Sequence, residues 1–100
     1  MLKITRLDEP GLCRIVVEGK LIGPWISELK VACERARTEL NGRKLVVEVQ
    51  CLTVISPEGE EILLGLLNDG VRVSGSGLFT RQILKQLARR KRRKSQEAPQ

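Results

Sequence analysis

Alternating apolar and polar residues in the first part of the chain predict two β-strands. The segments LKITRLDE and LCRIVVEGKL both alternate, and Pro10-Gly11 between them is a turn signal. In the second segment every second residue is apolar and falls on one face: Cys13, Ile15 and Val17. Because the connection is short, an antiparallel hairpin is the simplest arrangement of the two strands.

A longer period replaces the alternation after Gly23-Pro24. Apolar residues then recur at the spacing of one helix face: Trp25, Leu29, Cys33, Ala36 and Leu40. Pro24 suits the first turn of a helix, where its missing N–H costs no hydrogen bond. With Asn41-Gly42 as a stop signal, the pattern predicts an amphipathic helix over roughly residues 24 to 40.

The segment KLVVEVQCLTVI alternates as a third strand. One face is predicted to be apolar throughout: Leu45, Val47, Val49 and Cys51. The other face is mixed: Val46, Glu48, Gln50 and Leu52. Such a strand packs helices against its apolar face and leaves the mixed face partly uncovered.

The rest of the chain alternates helix and strand. A second helical stripe consists of Gly59, Ile62, Leu63, Leu66 and Leu67, and it stops at Asn68-Asp69-Gly70. VRVSGS follows as a short strand, and the last helix carries the stripe Phe79, Ile83, Leu84, Leu87 and Ala88. The order ββαβαβα predicts an α/β fold with a mixed four-stranded sheet and helices packed mainly on one face.

The net charge of +6 is concentrated near one end of the chain. The run RRKRRK holds six of the 18 Lys and Arg residues, and the remaining ones are balanced by 12 Asp and Glu residues. We predict one domain over residues 1–88 and a basic, disordered tail over residues 89–100. The candidates for contact with an anion or nucleic acid are Arg89, Arg90, Lys91, Arg92, Arg93 and Lys94. Without interleaved aromatic residues, that contact would be non-specific and salt-sensitive.

The residue composition excludes some kinds of catalytic site and disfavours others. The sequence contains no histidine, which removes every Ser–His and Cys–His dyad. Cys13, Cys33 and Cys51 lack a Cys-x-x-Cys spacing and lie in apolar runs, so we predict buried, reduced thiols. We expect no enzymatic activity, no metal and no cofactor.

The distribution of apolar residues also indicates where in the cell the protein is located. No segment approaches the ~18 consecutive apolar residues of a membrane span, and the polar N-terminal residues do not form a signal sequence. We therefore expect a soluble, cytoplasmic protein.

The stretch TVISPEGEE holds the most informative candidate site. Ser56 stands where the strand pattern changes to a helical one, so its side-chain oxygen fits an N-cap. Pro57 suits the first helical position, and Glu58 lies where the helix dipole favours a carboxylate. A nucleophilic Ser56 is disfavoured because no base stronger than a glutamate lies near it in sequence.

These segments resemble the STAS domain, a family found in bacterial anti-sigma factor antagonists and in the cytoplasmic tails of sulfate transporters. Besides element order, the resemblance depends on VEGKLIGPWISELK, LVVEVQCLTVISPEGEEIL and NDGVRVSGSG. They are similar to the family's apolar-x-Gly-x-Leu before a helix, its Leu-x-x-apolar-Asp-Ser-x-Gly helix opening and its Gly-led fourth strand. The resemblance implies a non-enzymatic interaction module of a bacterial regulatory system, with an anti-sigma-type kinase as its partner.

One position departs from the family pattern. Aligning Gly59 with the family's glycine puts Pro57 where regulated antagonists carry the phosphoacceptor Ser or Thr, and proline cannot be phosphorylated. The resemblance thus implies a docking face without the usual switch, formed by Ser56, Pro57, Glu58, Glu60 and Glu61. In a second version Ser56 itself accepts phosphate, although the glutamates already crowd that turn with negative charge.

We favour the unswitched version. The alternative function is that of a small nucleic-acid-associated protein, which would act through the basic run from Arg89 to Lys94. The sequence makes no prediction of the oligomeric state.

Overall fold

The computed structural model describes the backbone of residues 2–96 and the side chains of residues 2–90. Its elements follow the predicted order ββαβαβα. The strands are β1 (Leu2–Glu9), β2 (Leu12–Leu21), β3 (Lys44–Ile55) and β4 (Arg72–Gly75). The helices are α1 (Pro24–Thr38), α2 (Pro57–Asn68) and α3 (Leu78–Gln96). The predicted α/β class is confirmed.

The four strands form one mixed sheet in chain order, β1-β2-β3-β4. β1 pairs antiparallel with β2 through the turn at Gly11, whose φ of +82° is readily adopted only by glycine. β2 and β3 are parallel, and so are β3 and β4. Each parallel pair needs a crossover that returns the chain to the same end of the sheet, and α1 and α2 are these crossovers.

The hydrophobic core lies on one face of the sheet. Side chains of β2 and β3 on this face are fully buried: Cys13, Ile15, Val17, Val47 and Val49. They belong to the same core as Leu29 and Ala36 of α1, Leu63 of α2 and Leu87 of α3. The opposite face is half-buried or exposed at every position that the structure describes, as Arg14, Val16, Val46 and Glu48 illustrate. The helices therefore pack on one face, as predicted.

Two extra residues in β3 change the faces predicted for Cys51 and Leu52. Its pairing with β2 slips between Gln50 and Leu52, and again between Leu52 and Val54. Cys51 bulges out with a φ of +48° and is exposed, whereas Leu52 is only 4% exposed. A bulged residue opposes no partner, so the inward and outward positions exchange after the first slip and exchange back after the second, where Ile55 packs against the core again. The prediction that Cys51 is buried beside Val49 is wrong, and buried thiols are confirmed only for Cys13 and Cys33.

Helix α3 differs from the prediction in its inward face. Phe79 is 43% exposed and Ala88 is exposed, whereas Thr80 is buried. Thr80 packs inward because Gly75, at the end of β4, has no side chain: a Cβ there would lie 2.4 Å from the Thr80 methyl group.

Helix α3 continues past residue 88, the predicted end of the domain. Its helical backbone continues through the basic run to Gln96, where the sequence predicted a disordered tail from residue 89. Residues 97–100 of the predicted tail lie outside the described residues.

Candidate functional site

Ser56 is the N-cap of α2, as its position in the sequence predicted. Its backbone is extended, with φ −87° and ψ 164°, and its Oγ accepts a hydrogen bond from the Gly59 N–H at 3.1 Å. The Ser56 carbonyl accepts from the Glu60 N–H at 3.0 Å, which starts the helical hydrogen bonds. Pro57 follows at the first helical position, where it leaves no donor unpaired. The Ser56 hydroxyl oxygen is thus engaged in holding the helix start.

The carbonyl of Leu21, at the end of β2, fixes this turn in place. It accepts a hydrogen bond from the Ser56 N–H at 3.2 Å. The same oxygen lies 2.6 Å from the position that a Cβ on residue 59 would occupy, so only glycine fits there. The start of α2 is consequently held close against the neighbouring strand by Leu21, Ser56 and Gly59.

The predicted docking residues lie within the first two turns of α2: Ser56, Pro57, Glu58, Glu60 and Glu61. Pro57 and Glu58 are exposed, and the Glu61 side chain is 63% exposed. Carboxylates at this end of a helix are stabilised by its dipole. The result is an accessible turn that combines a rigid proline with permanent negative charge.

Arg90 of α3 lies against this acidic turn. Its Nη2 donates to Glu61 Oε1 at 2.5 Å, and its Nη1 donates to Glu60 Oε1 at 3.4 Å. The sequence predicted the acidic turn and the basic run as separate candidate sites, and the structure brings them together at Arg90. No sequence signal marks this contact, because it depends on how α3 packs against α2.

The other basic candidates are placed only in part. Arg89 is exposed and forms no ion pair with a residue whose side chain the structure describes. The side chains of the remaining candidates lie outside the described residues: Lys91, Arg92, Arg93 and Lys94.

A separate ion-pair cluster ties β1 to the segment between α1 and β3. Arg6 Nη1 lies 2.6 Å from Glu39 Oε1, and Arg43 Nη1 lies 2.9 Å from Asp8 Oδ1. Hydrogen bonds from Arg43 and then Arg6 hold the pKa of Asp8 below its ordinary value. These groups lie at the opposite end of β3 from Ser56, so the cluster positions the loop and contributes nothing to the turn.

Cys33 offers no reactive thiolate. Burial raises the pKa of its thiol to about 11, so the group stays neutral at physiological pH. In the part of the chain that the structure describes, no three Cys, Asp or Glu residues gather as a set of metal ligands. Likewise, none of the described helices has the length and apolar character needed to span a bilayer.

No protein-family model matches the chain, and no curated protein matches its sequence. The functional assignment therefore depends on the fold and on the geometry of the Ser56 turn.

Proposed function

We propose that the protein is a STAS-like interaction module of a bacterial regulatory system, which acts in the cytoplasm by binding and not by catalysis. Its partner, an anti-sigma-type kinase, docks on the start of α2. One observation carries the proposal: an exposed acidic turn follows β3 in a ββαβαβα fold, with Pro57 at the phosphoacceptor position of the family that the sequence resembles.

The module docks its partner without control by phosphate. The Ser56 oxygen already accepts the Gly59 N–H, and Glu58 gives the turn a permanent negative charge. A phosphate on Ser56 would add about two further negative charges beside these glutamates. Stoichiometric phosphate on Ser56 in the natively purified protein, measured by mass spectrometry, would overturn this unswitched version.

The docking face is tested with three matched baits incubated in lysate of the source organism: wild type, Glu58→Lys and Glu28→Lys. Glu28 is an exposed residue of α1, so its variant makes the same charge change away from the Ser56 turn. We expect wild type and Glu28→Lys to recover the same kinase, and Glu58→Lys to lose it. Equal recovery on Glu58→Lys removes the proposed face.

The role of Pro57 is tested by restoring a hydroxyl. We expect the recovered kinase, supplied with ATP, to phosphorylate the Pro57→Ser variant and to leave the wild-type chain unmodified. Phosphorylation of neither chain would show that the kinase does not treat this turn as its substrate site.

A second function is supported by the length of α3. Helical backbone through residue 96 would present the basic run on one continuous helix to a nucleic acid. We expect a gel shift with duplex DNA that weakens steeply between two salt concentrations and is reduced in the full-length variant Arg92→Gln/Arg93→Gln. Absence of a shift at the lower salt concentration rules this function out.

A further inference from the structure

A cleft of about 530 Å³ opens where β3 and β4 begin, at the opposite end of the sheet from Ser56. Its lining includes a set of apolar side chains: Leu12, Leu40, Leu45, Val46 and Val71. Small-molecule sites typically occupy roughly 300–1,000 Å³ and combine an apolar lining with a few polar groups. The cleft therefore has the size and the apolar surface of a ligand site.

Two of the cations around this cleft already have partners. Arg37, in the last turn of α1, lies 3.1 Å from Asp69, which is the C-cap of α2. Arg43 donates to the carbonyl oxygens of Leu40 and Glu39 just beyond α1. These two arginines offset the negative carboxyl ends of the helices that face the cleft.

The other two cations, Lys44 and Arg72, are exposed. Neither forms an ion pair or a side-chain hydrogen bond with any side chain that the structure describes. Among the residues that the structure describes, Asp69 is the one acidic residue of the lining, and Arg37 already pairs with it. The cleft therefore carries two positive charges that no described side chain of the lining neutralises.

The sheet register places Lys44 and Arg72 on the same face of the sheet. Arg72 pairs with Val46 on the adjacent strand, and Lys44 precedes Val46 by two residues, so all three share one face. Strand geometry puts the Cα atoms of Lys44 and Arg72 about 8 Å apart. Side chains of this length can converge on one anionic group, and a bound anion relieves their mutual repulsion.

We propose that this cleft binds a small organic anion. Lys44 and Arg72 hold its phosphate or carboxylate group, the arginine with its planar fork of donors, and the apolar body lies on Leu12 and Val46. The site is independent of the docking face at Ser56, so either assignment can fail without the other.

The test is an amide NMR titration of the full chain with four probes: phenyl phosphate, benzoate, inorganic phosphate and benzyl alcohol. We expect localised shifts at residues 12, 44–46 and 71–72 with phenyl phosphate or benzoate, and comparison of these two identifies the preferred head group. Inorganic phosphate has the charge without the ring, and benzyl alcohol has the ring without the charge. Both should bind at least about tenfold more weakly, because each lacks one half of the interaction.

The substitutions Lys44→Gln and Arg72→Gln should each lower the affinity for the preferred probe by about tenfold or more. Lys85→Gln, which removes an exposed charge from α3, should leave its affinity unchanged. Any of three results would overturn the proposal. The shifts could be scattered over the surface lysines, inorganic phosphate could bind as tightly as the preferred probe, or the cleft variants could keep the wild-type affinity. If Arg72→Gln alters the dispersion of the amide signals, its fold has changed, and the affinity of Lys44→Gln alone then tests the proposal.

Discussion

The guanidinium of Arg90 bridges to the Glu61 carboxylate at 2.5 Å and so ties α3 to the start of α2. Its second contact, to Glu60, is longer at 3.4 Å. The Arg90 and Glu61 side chains are 42% and 63% exposed, so water and salt screen the pair. The ion pair therefore matters less for stability than for position, because it places the Arg90 cation on the surface that we propose for partner binding.

Arg90→Gln should change the free energy of unfolding by less than about 1 kcal/mol, because exposed ion pairs contribute little. Partner recovery on the acidic turn should increase, since Glu60 and Glu61 lose their internal cation. Urea denaturation and quantitative capture measure the two effects. Arg89→Gln is the control, and equal gains in both variants would mean that net charge, not this contact, limits binding.

Gly59→Ala should destabilise the protein by about 1–3 kcal/mol, because the added methyl meets the Leu21 carbonyl and the backbone must shift. Gly65→Ala in the same helix is the matched control. Beyond the neighbouring residues and backbone of its own helix, no atom lies within 4 Å of its added Cβ, so this variant should be more stable than the wild type by up to about 1 kcal/mol. Denaturant midpoints measure both, and shifts in the same direction would contradict the close approach at Gly59.

Ser56→Ala should cost about 1 kcal/mol of stability, because the Gly59 N–H loses its acceptor. Ser56→Asp should retain most of the stability, since a carboxylate also caps a helix. Ser27→Ala on the exposed surface of α1 should change the unfolding free energy by less than about 0.5 kcal/mol. Equal stability of Ser56→Ala and wild type in thermal and chemical unfolding would remove the capping role.

A thiol reagent at mildly alkaline pH should modify Cys51 quickly in the native protein and leave Cys13 and Cys33 intact. Cys51 is exposed, whereas the other two are buried and the pKa of Cys33 is raised to about 11. Denaturant should release all three thiols. Cys51→Ser should abolish the fast reaction, and rapid labelling that persists in this variant would contradict the burial of Cys13 and Cys33. Slow labelling of Cys51 in the native wild-type protein would contradict the exposed bulge.

The Asp8 carboxyl should titrate below its ordinary pKa of 3.8, because Arg43 and Arg6 donate to its charged form. A carboxyl whose pKa is lowered by folding stabilises the native state above the unfolded pKa. That contribution is lost as the pH falls through the folded pKa. Carbon-detected NMR of the carboxyl measures the titration, and Arg43→Gln should return the pKa towards 3.8. No change in that variant would assign the shift to another cause.

Element order was predictable because its signals are local. Gly23-Pro24 and Ser56-Pro57 each mark a helix start, and the apolar residues between turn signals have a clear period. The same local chemistry predicted the N-cap at Ser56.

The bulge at Cys51 was not predictable, because neither glycine nor proline marks it within VQCLTV. It arises from pairing with β2, where Gly19 also adopts a positive φ, of +112°. The inward position of Thr80 likewise depends on its approach to Gly75, and the neighbourhood of Lys44 and Arg72 depends on the β3–β4 register. These relationships join residues that are distant in sequence, so no single segment encodes them.

The hydrogen bond that the Leu21 carbonyl accepts from the Ser56 N–H also affects how a partner binds to this turn. Since the Ser56 turn is held by a strand, a cap and a close glycine contact, its backbone has little conformational entropy left to lose. A partner that docks there meets a preorganised surface, and the free and bound conformations of the turn should be nearly the same. Selectivity must then come from the side chains that this rigid turn displays.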